Sequence, residues 1–228
     1  MNEKKYKMLR QTIEDKLKID KYGKVIICNV YFDTPNYQVI RNSLDKPIYK
    51  EKLRLRSYGI PQDGDKVFVE LKKKFKGIVY KRRTEMELSA AEKYLYERQP
   101  IAVPSQITNE IEWFINLYKE VLPMMYISYN RIAMYGVENP ELRVTFDNNI
   151  LWRTEELKLE KGSWGNTILE EGDRVMEIKI PGAMPVWLSH ILDELEIYPV
   201  SFSKYGRGYQ LFKQENNIQN KKGEIRYA

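Results

Sequence analysis

Several residue types and motifs are scarce in this chain of 228 residues, and each absence excludes a class of site. With a single cysteine, Cys28, and a single histidine, His190, the chain cannot build an internal disulfide, a cysteine-rich metal centre or a histidine-based triad or zinc site. His190 lies within a helical pattern and is expected to be structural. Because neither GxxxxGK[ST] nor GxGxxG after a strand occurs, any bound nucleotide would be held by side chains.

Long apolar segments are also missing. No hydrophobic run approaches the ~18 residues of a membrane span, and the N-terminus MNEKKYKMLR lacks the apolar core of a signal peptide. Cys28, inside the apolar run KVIICNVYF, is expected to be a buried thiol in a reducing compartment. We therefore expect a cytoplasmic protein. Its net charge of +6 is too modest to demand nucleic acid as a partner.

The hydrophobic patterns predict one mostly β domain over residues 1–213, with helices outside, followed by a polar, loose tail at 214–228. Ser89 with Glu92 resembles a capping box that opens a helix. Residues 36–45 are expected to form a short crossing segment. The predicted helices are 6–20, 89–98, 108–121 and 185–195, and the predicted strands are 24–33, 50–58, 66–74, 79–88, 125–135, 142–147, 150–153 and 175–180.

Charged residues alternate with apolar ones along several of these strands. Successive side chains of a strand point to opposite faces, so Arg54 and Arg56 share one face and Leu53 and Leu55 the other. Four further strands show the same alternation. The residues that share one face of their strand are Glu70, Lys72 and Lys74; Lys81, Arg83, Glu85 and Glu87; Arg143, Thr145 and Asp147; and Glu177 with Lys179.

A single charged face would be ordinary, because antiparallel sheets often have one face in water. Several basic faces together favour an α+β fold in which a closed or nearly closed antiparallel β-barrel encloses a charged lumen, with helices packed outside. Arginine offers a planar fork for phosphate oxygens and lysine a compact charge. The pattern therefore predicts a barrel that holds a chain of phosphates.

A divalent metal would need carboxylates beside these cations. Glu177 is the best candidate, with an ion pair to Lys179 as the equal alternative. Glu85, Glu87, Glu70 and Asp147 are further candidates, for which an ion pair with a neighbouring Arg or Lys is favoured over metal binding. Mg²⁺ or Mn²⁺ held by one or two carboxylates and substrate oxygens is usual in phosphoryl transfer. Ser203 and Lys204 lie in a short segment that could cap one mouth of the lumen.

The order of the motifs resembles the polyphosphate polymerase (VTC) domain of the triphosphate tunnel metalloenzymes, a CYTH-like superfamily. The resemblance runs from about residue 3 to 209. It rests on Glu3-x-Lys5-Tyr6, YFDT at 31–34, RLR at 54–56, VELKKK at 69–74, VYKRR at 79–83, SYNR at 128–131, RVTFD at 143–147, MEIKI at 176–180 and FSKYGRG at 202–208.

This resemblance implies a tunnel enzyme that transfers the γ-phosphate of ATP to a growing polyphosphate chain with Mn²⁺ or Mg²⁺. Glu177 matches the metal-binding glutamate, and Lys74 stands where polymerase members have a histidine. The expected catalytic residues are Arg54, Arg56, Lys72, Lys81, Arg131 and Arg143, and the expected phosphate-binding residues are Lys5, Lys74, Arg83, Lys179, Ser203 and Lys204.

The expected partners are ATP and inorganic polyphosphate, without nucleic acid. Relatives of the domain work in membrane complexes, which makes a separate membrane protein a candidate partner and the inner face of a membrane a candidate location. Three alternatives stay open: a hydrolase of triphosphate or short polyphosphate, a non-catalytic polyanion-binding module and, least favoured, a nucleic-acid binder.

Overall fold

The computed structural model describes residues 1–101 and 103–224, with side chains to residue 217. The helices are α1 (Glu3–Thr12), α2 (Gln38–Leu44), α3 (Leu88–Leu95), α4 (Gln106–Tyr118), α5 (Val186–Glu194) and α6 (Lys204–Glu224), with a short 3-10 turn at Leu159–Lys161. The strands are β1 (Leu17–Asp33), β2 (Tyr49–Tyr58), β3 (Lys66–Phe75), β4 (Ile78–Glu87), β5 (Leu122–Gly136), β6 (Arg143–Arg153), β7 (Asn166–Thr167) and β8 (Val175–Lys179).

All eight strands belong to one antiparallel sheet with the order β4-β3-β2-β1-β5-β6-β7, and β8 also pairs with β6. The α+β class is confirmed. Within the described ranges the sheet does not close, so the closed barrel is not confirmed. The strands at the two edges of the sheet differ in length, because β4 has ten residues whereas β7 and β8 have two and five.

Irregular pairing bends the long central strands. The register between β1 and β5 shifts between Ile19 and Lys24 and again after Tyr31, and a further shift separates Ser128 from Asn130 in the β5–β6 pair. Extra residues at such positions bend a strand and increase its twist. The sheet consequently has a concave face, which carries the charged residues, and a convex face.

The convex face is covered by helices, as predicted for the apolar positions. Leu53, Leu55, Val69 and Leu71 are fully buried in a core that includes apolar residues of α3 and α4. A second core joins α1 and α5 to strands β5, β6 and β8. Burial of these side chains, at ~25 cal/mol for each Å² removed from water, holds the charged side chains of the same strands on the opposite face.

Helices α2 and α6 pack instead on the concave side, at one end of it. Tyr31 of β1 and Tyr205 of α6 stack with ring centroids 4.5 Å apart. A Cβ added to Gly208 would lie 2.8 Å from the sulfur of Met125, which is fully buried on β5. The glycine thus allows α6 to approach the sheet closely, and the helix closes part of the concave face.

Several predicted boundaries were wrong. The first helix ends at Thr12, not at residue 20, because residues 17–19 already pair with β5. The N-cap of α3 is Glu87, without a side-chain capping bond, rather than Ser89. The strands predicted at 142–147 and 150–153 are one continuous β6.

The end of the chain was expected to be a loose tail. Helix α6 continues through residues 214–224 of that segment, and residues 225–228 lie outside the described ranges. Among the described residues, no helix combines the length and the apolar character needed to cross a membrane.

Candidate phosphate-binding site

The register of the strands brings most of the predicted cations onto the concave face. Arg54 lies opposite Glu70, which lies opposite Arg83, across β2, β3 and β4. On the other half of the sheet, Arg131 of β5 lies opposite Asp147 of β6. The cations that share this face are Arg54, Arg56, Lys72, Lys74, Lys81, Arg83, Arg131, Arg143 and Lys179.

The first half of the site is built around Glu70, whose side chain is only 1% exposed. Arg54 donates from Nε and Nη2 to Glu70 Oε2 at 2.8 and 2.6 Å. The same carboxylate lies 3.7 Å from Arg56 Nη1, 3.1 Å from Lys81 Nζ and 3.6 Å from Arg83 Nε. Four cations therefore share one carboxylate, and this cluster keeps an excess of positive charge.

Electrostatics keep Glu70 ionised. Burial raises the pKa of this carboxyl, but the neighbouring Arg54 and Arg56 outweigh burial and lower the pKa to about 2. Glu70 is thus an anion at any physiological pH. It orients the arginine forks and leaves their remaining N–H groups for other anions.

The second half of the site is centred on Asp147, which is also 1% exposed. Arg131 binds it with two bonds, Nε to Oδ1 at 2.6 Å and Nη2 to Oδ2 at 2.7 Å, and Lys204 Nζ lies 2.7 Å from Oδ2. Burial raises the pKa of Asp147, whereas the bond from Arg131 and the charge of Lys204 lower it, with a net lowering. Lys204 thereby joins the first turn of α6 to the sheet.

Sequence reasoning missed Lys52, which the structure places on the same face. Its Nζ donates to Ser203 Oγ at 2.9 Å, beside the start of α6. Lys52 lies opposite Lys72, which lies opposite Lys81. The signal was present in the sequence, because Lys52 is two residues before Arg54 in the same alternation.

Polar residues of the central strands were missed as well. Arg56 donates to Asn29 Oδ1 at 2.9 Å and to the Tyr129 hydroxyl at 3.2 Å, and Arg54 donates to the Tyr31 hydroxyl at 3.2 Å. Burial raises the pKa of Tyr31, but Arg54 and Arg56 outweigh it and the pKa is lowered. Asn29 and Tyr31 alternate along β1, but the apolar run around them hid this pattern.

Glu177 of β8 faces the basic groups from across the concavity. Its carboxylate is 49% exposed and lies 3.3 Å from Lys179 Nζ. Its charge acts on both Lys72 and Arg131, and favours their charged forms. β8 and β3 are not neighbours in the sheet. The charge of Glu177 therefore acts on Lys72 across the concave face, because the sheet curves.

The other predicted metal ligands have different surroundings. Glu85 pairs at 2.7 Å with Lys66, and both side chains are substantially exposed. Glu87 lies opposite Lys66 at the end of β4. Over residues 1–101 and 103–224, no group of three or more His, Cys, Asp or Glu could hold a metal by itself. Glu177 fits the other common arrangement, in which one carboxylate and the oxygens of a bound phosphate share a Mg²⁺ or Mn²⁺ ion.

Four predicted residues differ in position from the central group. Lys5 lies on α1, which packs against the convex side, and its Nζ donates to the Glu196 carbonyl at 2.9 Å. The structure therefore does not bring Lys5 together with the concave cations. Arg143 and Lys179 lie opposite each other on β6 and β8, where β6 begins, and Lys74 lies near the β3–β4 turn.

The fold and the site together define a class of protein, an α+β domain whose antiparallel sheet curves around a basic, carboxylate-ordered concave face. The chain belongs to the VTC domain family, whose model matches residues 1–213. The resemblance seen in the sequence is thus confirmed. The family's fold is the CYTH-like triphosphate tunnel fold.

A solved structure shares the fold. A protein of Bacillus halodurans, provisionally named an adenylate cyclase, is 15% identical with a TM-score of 0.52, and the match covers 89% of each chain. A second protein with that provisional name, from Vibrio parahaemolyticus, is 10% identical with a TM-score of 0.38 and covers 83% of this chain and 78% of its own. A comparison with curated proteins finds no match.

Proposed function

We propose that the chain is a metal-dependent polyphosphate polymerase, which transfers the γ-phosphate of ATP to a growing polyphosphate chain held on the concave face. The observation that supports this most strongly is the cluster around Glu70, where four cations share a single buried carboxylate. Such an excess of buried or half-buried positive charge is unfavourable without an anion. A chain of phosphates supplies anions at regular intervals.

The two buried carboxylates support catalysis by positioning. Glu70 fixes the fork of Arg54 and Asp147 fixes that of Arg131, so neither arginine has to be ordered when a phosphate arrives. Preorganised donors stabilise charge in a transition state without reorganisation at the moment of reaction. We therefore assign Arg54 and Arg131 to opposite sides of the transferring phosphoryl group.

The proposed step balances without a general base. A terminal phosphate oxygen of the chain, already ionised, forms a bond to the γ-phosphorus, while the bond to the β–γ bridging oxygen breaks and ADP leaves. The transition state of phosphoryl transfer is loose, with its charge spread over the equatorial oxygens. Arg54, Arg56, Lys72, Lys81 and Arg131 stabilise that charge.

Glu177 would hold the Mn²⁺ or Mg²⁺ ion together with phosphate oxygens. When bound, the metal supplies a Lewis acid that offsets charge on the reacting phosphates. Glu70 and Asp147 are engaged by arginines, and Glu85 pairs with Lys66. Few carboxylates therefore remain for a second metal, which favours transfer to a chain over the triphosphatase alternative.

The position of the basic residues also indicates which ligands the site prefers. They lie on the concave face of the sheet, which favours a narrow chain of phosphates over the broad surface of a nucleic acid. We propose ATP and polyphosphate as the ligands. A cytoplasmic location, at the inner face of a membrane beside a separate membrane protein, is a further proposal that follows from the family.

The deciding experiment is incubation of the purified chain with ATP and Mn²⁺, with ADP, free phosphate, cyclic AMP and long-chain polyphosphate measured in parallel. Polyphosphate with ADP, lost in Arg54→Ala and Glu177→Ala, is the expected result. Arg82→Ala is the matched control, because Arg82 lies on the same strand as Arg83 but pairs with Glu110 on the convex side. Free phosphate alone would move the assignment to a hydrolase. Polyphosphate binding without turnover would leave a binding module, and cyclic AMP would indicate a cyclase.

A further inference from the structure

Lys52, Lys72 and Lys81 form a row across the concave face. They lie directly opposite one another on β2, β3 and β4. Side chains at such positions have Cβ atoms ~5 Å apart on the same face of a sheet. The next row, two residues along each strand, contains Arg54, Glu70 and Arg83.

The two rows differ in how their charge is compensated. The arginine row is ordered around Glu70, which also reaches Lys81 at the end of the lysine row. Among residues whose side chains the structure describes, no carboxylate lies within 4.0 Å of Lys52 Nζ or Lys72 Nζ. Lys52 and Lys72 are thus two adjacent ammonium groups without a direct counter-charge.

The surroundings of Lys52 make this lack of an anion energetically significant. Burial, together with the charges of Lys50, Lys72 and Arg54, lowers the pKa of Lys52 to about 8, while Tyr31 acts in the opposite direction. On α6, the nearby Lys204 is compensated by Asp147. An anion placed between Lys52 and Lys72 would reverse this destabilisation.

Ser203 provides a hydroxyl at the same place. Its Oγ accepts hydrogen bonds from Lys52 Nζ at 2.9 Å and from the backbone N–H of Gly206 at 3.1 Å. Since both of these bonds use oxygen lone pairs, the hydroxyl proton remains free to donate to a ligand. An ammonium group and a hydroxyl donor are therefore in contact beside the first turn of α6, and Lys72 lies directly opposite Lys52 on the neighbouring strand.

We propose that Lys52, Lys72 and Ser203 form a subsite that selects the terminal phosphate of a linear phosphate chain. A terminal phosphate carries close to two negative charges above its second pKa of about 6, whereas an internal phosphate carries one. Two ammonium groups without a carboxylate in direct contact match the doubly charged end. This inference rests on the proposed function only in taking phosphate chains as the ligand class, and it adds recognition of the chain end by Lys52.

The test compares two ligands that differ in having an end. Linear tripolyphosphate has two terminal phosphates, and cyclic trimetaphosphate has none. We expect Lys52→Met to weaken binding of tripolyphosphate by about 10-fold or more, as for loss of a charge-assisted hydrogen bond, and to change trimetaphosphate binding by less than about twofold. Lys50→Met is the matched control, since it removes the same charge two residues away on the same strand.

Calorimetry at pH 8.5 in buffers of different ionisation enthalpy provides a second readout. Binding of tripolyphosphate should take up a proton on Lys52, and the number of protons taken up should fall more in Lys52→Met, which removes the titrating group, than in Lys50→Met, which removes only one of the charges that lower its pKa. Equal weakening of both ligands by Lys52→Met, or an equal effect of Lys50→Met, would overturn the subsite. Thermal unfolding confirms that each variant is folded.

These outcomes separate the subsite from the proposed reaction. If the protein makes no polyphosphate but Lys52→Met still discriminates between the two ligands, the polymerase assignment fails and the subsite stands. If polyphosphate is made but Lys52→Met binds both ligands as the unmodified protein does, the subsite fails and the polymerase stands.

Discussion

Arg54 donates from both Nε and Nη2 to a single oxygen of Glu70, at 2.8 and 2.6 Å, between directly opposed positions of β2 and β3. Both donors of one edge of the guanidinium are used by the protein itself. The other edge, with Nη1, points to the Tyr31 hydroxyl at 3.2 Å. Arg54 is therefore oriented on both sides, and it can meet a phosphate without losing further side-chain freedom.

Removal of the Glu70 carboxylate should be costly, because the cations around it would face one another. We expect Glu70→Gln to lower the free energy of unfolding by about 3–5 kcal/mol, as for one partner of a buried ion pair. Urea denaturation measures this change. Glu110→Gln is the matched control, since Glu110 binds Lys73 and Arg82 on the convex side and its side chain is 22% exposed. This substitution should lower the free energy of unfolding by only about 1 kcal/mol. Equal losses would contradict a special role for Glu70.

A polyanion should compensate for the missing carboxylate. Any ligand that binds only the folded state stabilises it by mass action, and tripolyphosphate would place negative charge close to that of Glu70. We expect tripolyphosphate to raise the melting temperature of Glu70→Gln more than that of the unmodified protein. A smaller rise in the variant would mean that Glu70 is required to order the site before phosphate can bind.

Acid should destabilise the protein through the same residue. The pKa of Glu70 falls from 4.5 to about 2 on folding, so its stabilising contribution is complete above pH 4.5 and is lost as the pH falls towards 2. The shift corresponds to about 3 kcal/mol. Unfolding free energies measured from pH 6 to pH 2 should therefore fall more steeply for the unmodified protein than for Glu70→Gln. Parallel curves would contradict this linkage.

Asp147 should control how firmly α6 is attached to the sheet. Asp147→Asn removes the charge that holds both Arg131 and Lys204, and the first turn of α6 should then open more often. Hydrogen exchange of the amides at 204–217 should become faster by about 10-fold or more, which corresponds to the loss of a charge-assisted bond. Asp193→Asn on the exposed side of α5 should leave this exchange unchanged.

The two faces of the sheet could be predicted from the sequence because strand alternation is a local property. Leu53 and Leu55 lie in the core and Arg54 and Arg56 on the concave face, as their spacing predicts. The same rule would have included Lys52. The family could also be predicted from the sequence, since the resemblance runs from about residue 3 to 209 and the VTC family model matches residues 1–213.

Other features depend on the way the sheet pairs and bends, which local patterns do not determine. Nothing near Glu70 in the sequence indicates that four cations from three strands would share it. The open edge of β4 could not be foreseen either, because closure depends on the length of distant strands. Motif matching predicts that Lys5 binds phosphate, but its backbone is helical and lies on the convex side.

Metal binding should require Glu177 and a bound phosphate together. Titration of Mn²⁺, followed by electron paramagnetic resonance in the presence of tripolyphosphate, should show about 10-fold weaker binding for Glu177→Gln, a typical loss when a metal ligand or its support is removed. Glu85→Gln is the matched control, because Glu85, like Glu177, is about half exposed and pairs with a lysine. If both variants bind Mn²⁺ like the unmodified protein, the phosphate alone holds the metal.

The close approach of α6 to the sheet should depend on Gly208. A Cβ at this position would lie 2.8 Å from the sulfur of Met125, which is fully buried and cannot move without disturbing the core. Gly208→Val should therefore destabilise the fold by about 1–3 kcal/mol through overpacking, and should weaken tripolyphosphate binding because Ser203 and Lys204 begin the same helix. Arg207→Val introduces the same side chain at an exposed position of α6, so it shares the helix propensity of valine but not the clash. A stable Gly208→Val variant with unchanged binding would show that the concave face does not need α6 at this distance.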